Sequence, residues 1–147
     1  PEANRNSKEA IIGELEKANE SILPKVDLNA INRKWKAIGP VGKKFSEELS
    51  EKYLRLSGII SEKKFVNTLV EKKSKQGASD ADLNKLRIRL VRGLLERDYS
   101  ELKTFEENMG KFNMASGLDN LLDRKLAQQK LKVEIKKDIL TELKKAW

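Results

Sequence analysis

The chain has 147 residues, a formal net charge of +8, and neither cysteine nor histidine. Those absences exclude disulfides, thiol nucleophiles, Cys/His zinc sites, the Ser-His-Asp triad and any histidine general base. With 38% hydrophobic and 37% charged residues, the balance is that of long helices with one buried stripe each, not of a disordered chain.

The apolar pattern has period 3.6 throughout, and no stretch alternates as a strand does. A first helix is predicted from Ser7 to Ile22, with a stripe of Ile11/Ile12, Leu15, Ala18/Asn19 and Ile22, stopped by Pro24. Asp27 is a good N-cap for a short second helix, in which Leu28, Ile31, Trp35 and Ile38 share one face. Gly39-Pro40 ends it. A long third helix runs from Gly42 or Lys43 to Lys75. Its seam is Phe45, Leu49, Lys52, Leu56, Ile59, Lys63, Val66 and Val70, at spacings of four and three. Gly77 supplies a C-cap, and Ser79 or Asp80 caps the fourth helix.

The fourth helix has the clearest seam: Ile88, Val91, Leu95, Asp98, Leu102, Phe105, Met109 and Phe112, in which Asp98 is the polar exception. The pattern lapses from Gly110 to Gly117, which predicts a turn. The fifth helix runs from Leu118 to the C-terminus on Leu122, Leu126, Gln129, Val133, Lys136, Leu140, Leu143 and Trp147. At 1.5 Å per residue the long helices would each span roughly 45–50 Å, so short turns must send them up, down and up. The expected fold is all-α. It is an elongated bundle of two short N-terminal helices and three long antiparallel ones with coiled-coil-like packing. Residues 1–76 and 77–147 are its two parts, forming one continuous structural unit.

The segment Trp35-Lys36-Ala37-Ile38-Gly39-Pro40-Val41, followed by the basic pair Lys43-Lys44 and an amphipathic helix, resembles the repeat of the bacterial family called domain of unknown function 349. The match covers roughly Lys8 to Val70. The segment from Glu106 to Phe112 looks like the tail that closes some multi-repeat members. Ser50 stands where the family usually has a second tryptophan, Tyr53 where it has phenylalanine, and Ile59-Ile60 where it has an aromatic pair. The resemblance implies a helical fold, a bacterial origin and a degenerate final repeat, and it brings no catalytic residues.

Trp35 shares its face with Leu28, Ile31 and Ile38, so core packing is expected of it rather than ligand stacking. Asp98 on a seam is expected to set register, sit where the bundle opens to water, or pair with a nearby arginine, before any catalytic role. Glu47-Glu48 and Glu106-Glu107 are sequence neighbours, about 100° apart on a helix, and do not converge on a substrate. No cofactor, metal or enzymatic activity is expected.

The basic residues are clustered. Arg33, Lys34, Lys36, Lys43 and Lys44 form one group, and Lys85, Arg87, Arg89 and Arg92 a second. Arg124, Lys125, Lys130, Lys132, Lys136 and Lys137 form a third, against Glu134 alone. Arg33, Lys34, Lys36, Lys43, Lys44, Arg87, Arg89 and Arg92 are the candidates for polyanion contact through phosphates.

Two functional readings therefore lead: a non-enzymatic scaffold or protein-interaction module, and a basic module for RNA, DNA or the ribosome. Leu54, Leu69, Leu86 and Leu90, off the seams, are the candidates for a protein-binding face. No apolar run reaches the roughly 20 residues of a membrane span, and no membrane partner is expected. A cytoplasmic setting is expected from the missing cysteines. The start at Pro1 suggests a piece of a longer chain.

Overall fold

The computed structural model describes residues 2–111 and 118–146. Among them the chain is all-α, with five helices and no strand: α1 (Glu2–Ala18), α2 (Leu28–Ala37), α3 (Lys43–Lys73), α4 (Asp80–Met109) and α5 (Leu118–Lys145). They form two compact units, Pro1–Thr68 and Leu69–Trp147, and the division falls within α3. Phe112, Trp147 and most of the predicted turn at Gly110–Gly117 lie outside the described residues.

The first unit closes around Ile11, Ile12, Leu15, Ile31, Leu49, Tyr53 and Ile60. These come from α1, α2 and α3, so the two short helices do cover the first part of α3. The α3 seam slips by one residue from its predicted line. Tyr53 and Ile60 are buried, while Lys52 is exposed beside Glu48 and Ile59 is half-buried. An apolar neighbour one position along replaces a lysine that gains more in water.

Lys63, the other polar position on that seam, stays buried at 3% exposure. Its Nζ donates to the Asn19 and Ser21 carbonyls at 2.9 and 3.0 Å. These carbonyls lie just past the end of α1, where the helix dipole is negative and backbone acceptors lack partners. Lys64 Nζ donates to the Val26 carbonyl, and Asn67 Nδ2 to the Ile22 carbonyl at 3.0 Å. Polar side chains of α3 thus satisfy the α1–α2 connection, which explains how its backbone can lie against the core.

Helix α1 begins at Glu2, five residues before the predicted start, and ends at Ala18 rather than Ile22. Ser7 is no N-cap: its hydroxyl donates back to the Ala3 carbonyl at 3.0 Å inside the helix. The added turn carries Asn4, whose Nδ2 donates to the Pro40 carbonyl at 2.9 Å. A Cβ on Gly39 would stand 2.8 Å from that nitrogen. The Gly39-Pro40 corner therefore needs glycine for close approach. Gly39→Ala is expected to break the bond and cost about 1 kcal/mol. In Asn4→Ala the same change should cost measurably less, which a denaturation double-mutant cycle detects.

Asp27 caps α2 by accepting from Ala30 N at 3.1 Å, and Ser79 caps α4 by accepting from Asp82 N at 3.1 Å. Between α3 and α4, Gly77 takes φ +79°, the left-handed conformation that glycine adopts without penalty. In the second unit α4 and α5 pack together. Asn84 Nδ2 donates to the Leu143 carbonyl at 3.2 Å, and Lys136 Nζ lies 2.5 Å from Asp98 Oδ2. Residue number rises along one helix as it falls along the other, so the pair is antiparallel. Asp98, the polar exception on the α4 seam, and Lys136, which with Gln129 is polar on the α5 seam, are each other's partner. The shorter ion pair is with a lysine of α5, and the expected arginine contact is present as well, with Arg97 Nη2 donating to Asp98 Oδ1 at 3.4 Å.

Candidate functional site

The basic residues predicted for polyanion contact fall on both units. Arg33, Lys34 and Lys36 are exposed on α2, and Lys43 and Lys44 are exposed at the start of α3. The aromatic rings near them serve the fold. Trp35 stacks on Tyr53 with centroids 4.1 Å apart and planes 15° apart, packed against the core as its shared face predicts. Lys8 Nζ lies 4.7 Å from the Trp35 centroid, and the Arg5 guanidinium carbon 3.7 Å from that of Phe45. Tyr53 donates its hydroxyl proton to Asn32 Oδ1, and burial pushes its pKa above the ordinary tyrosine value. The rings of Trp35, Tyr53 and Phe45 are thus used internally, by core contact or by a cation of the same unit.

On α4 the second basic group divides. At about 100° per residue, Lys85, Arg89 and Arg92 follow the outer face at spacings of four and three. All three are exposed. Arg87 points elsewhere: it is half-buried and already engaged in an interaction of its own. The outer row continues through Glu96, Tyr99 and Lys103 at the same alternation, all exposed. Tyr99 is 53% exposed, and Lys137 Nζ of α5 lies 5.5 Å from its ring centroid.

At the head of this row the α3–α4 turn encloses a cleft of about 640 Å³. Four cations line it, Lys73 and Lys75 before Gly77, and Lys85 and Arg89 after it. Asp82 is its one lining carboxylate, and Leu83 and Leu86 supply apolar wall. Among the described residues none of the four cations is ion-paired. Sequence reasoning grouped charge within helices and so missed Lys73 and Lys75. The signal was there in the glycine between two basic groups, which folds the second back towards the first.

Of the off-seam leucines, Leu54 is exposed at 58%, whereas Leu69, Leu86 and Leu90 are half-buried. Phe65, not singled out in the sequence, is 47% exposed. It follows Leu54 by eleven residues, which places the two about 20° apart around α3. Gly58 and Ser61 lie between them on the same stripe.

Among the described residues no group of three or more acidic side chains could hold a metal ion, and no helix is long and apolar enough to cross a membrane. Comparison with protein-family models, with curated proteins and with solved structures gives no match to this chain.

Proposed function

We propose that this chain is a non-enzymatic helical interaction module that receives an amphipathic helix of a partner protein on the outward face of α3. The supporting observation is the pair Leu54 and Phe65, large apolar side chains left in water on one stripe with only glycine and serine between them. Two anchors about 16 Å apart along a helix, with small residues between, suit a crossing helix seated at i, i+4 and i+7 positions. The resemblance of Trp35–Val41 to a helical repeat family fits this reading, in which the core of each repeat serves shape and the exterior serves partners.

The test is capture of partners from the source cells by the tagged chain after nuclease treatment, with wild type beside Leu54→Glu/Phe65→Glu. Both positions are exposed, so helicity and melting should hold. Loss of two anchors should weaken the complex at least tenfold. A nuclease-resistant complex that the double variant retains undiminished would refute the proposal.

A second reading, contact with RNA, DNA or the ribosome through phosphates, is favoured by the exposure of every candidate cation except Arg87 and by the +8 charge.

A further inference from the structure

We infer that the cleft at the α3–α4 turn and the outer row of α4 form one track for a single-stranded nucleic acid. The inference rests on the second reading above and gives it a place and a ligand class. Two adjoining features carry it.

The first is the cleft. Lys73, Lys75, Lys85 and Arg89 converge on one concavity with Asp82 as the lining counter-charge. Bringing like charges together costs folding energy, and one carboxylate, Asp82, faces four cations here. A chain of phosphates from outside would supply the missing charge, with release of its own counterions.

The second is the row that leaves the cleft. Lys85 and Arg89 belong to both features, and Arg92, Glu96, Tyr99 and Lys103 extend the same face, with Glu96 its one acidic member. From Lys85 to Lys103 the row covers about 27 Å, enough for the shorter single-strand sites of about 4–16 nucleotides. Tyr99 offers more than half its surface to solvent among these cations. An exposed ring in a basic row suits an unstacked base, which a single strand presents and a duplex does not. Lys137 Nζ of α5 lies over one side of that ring, so a base would stack on the side turned to solvent.

The test is fluorescence anisotropy with a labelled oligothymidylate of about 12 nucleotides, titrated over a range of salt. With on the order of five phosphates engaged, the logarithm of the affinity should fall with a slope of about −3 to −4 against log salt. Lys85→Ala/Arg89→Ala should weaken binding at least tenfold and make that slope shallower by about 1.4. Arg33→Ala/Lys34→Ala removes the same charge from the first unit and should change affinity less than threefold. Tyr99→Ala should weaken the oligonucleotide about tenfold and leave competition by inorganic polyphosphate unchanged.

If the two charge-matched double variants lose affinity equally, the track is wrong while the second reading stands. If Tyr99→Ala has no effect and polyphosphate competes as well as the oligonucleotide does, the ligand is a polyanion of any kind and the single-strand assignment is overturned. If the wild-type chain does not bind at low salt, inference and second reading fall together.

Discussion

Lys136→Met is expected to destabilise the protein by about 3–5 kcal/mol, the cost of leaving a buried charge without its partner. Asp98 is 4% exposed and Lys136 5% exposed, so neither charge can turn to water. Arg97 offers little relief, because its side chain is 61% exposed and its contact longer. Methionine keeps the stem and the apolar packing and removes only the ammonium. In Asp98→Leu/Lys136→Met no lone charge remains, and stability should return to within about 1 kcal/mol of wild type or exceed it, since two packed apolar groups often match a buried ion pair. Chemical denaturation followed by circular dichroism reads both. Equal losses in the single and double variants would mean that the two side chains are not paired.

Leu15→Ala carries the second large effect, a loss of about 3–5 kcal/mol. Leu15 is at 0% exposure in the centre of the first unit's core, with Ile11, Ile12 and Ile60 in the same cluster. Truncation removes contact on every side and leaves a cavity that helices held at both ends cannot collapse to fill. Leu54→Ala, the same chemical change at 58% exposure, should stay within about 0.5 kcal/mol. Comparable melting shifts for the two would contradict the assignment of inner and outer faces.

Much of the helical frame was legible because it depends on local chemistry. Asp27 and Ser79 act as the caps their side chains suit them for, whereas α3 ends at Lys73 and Gly77, expected as its C-cap, serves instead in the turn that the Ala78 N–H closes on the Lys75 carbonyl at 3.1 Å. Asp98 and Lys136 were each legible as misfits on an apolar seam. Their partnership was not, because 38 residues separate them and only the pairing of α4 with α5 decides which misfits meet. The α3 line slid from Lys52 to Tyr53 because periodicity alone does not say which of two adjacent residues faces in. The start of α1 was misplaced because the apolar stripe begins only at Ile11, and the turn before it is held by a polar contact at a distance, Asn4 to the Pro40 carbonyl.

The surface was less legible than the core. Charge counting treated Arg87, Arg89 and Arg92 alike, while the helical turn sends Arg87 to a different side from the other two. It also overlooked Lys73 and Lys75, whose part depends on the direction the chain takes at Gly77. Phe65 lies off the predicted α3 seam and was not singled out, because periodicity marks the residues that face in and does not rank those left outside.

The antiparallel register of α4 and α5 underlies the buried ion pair and sets Lys137 beside Tyr99, and spin-label distances test it directly. The chain has no cysteine, so labels at introduced cysteine pairs report only the chosen sites. Lys85→Cys/Lys144→Cys places both labels at one end of the hairpin and should give a separation below about 20 Å, whereas Lys85→Cys/Lys125→Cys should give about 30–40 Å, the span of the helices between them. A long distance for the first pair and a short one for the second would contradict the hairpin and everything placed upon it.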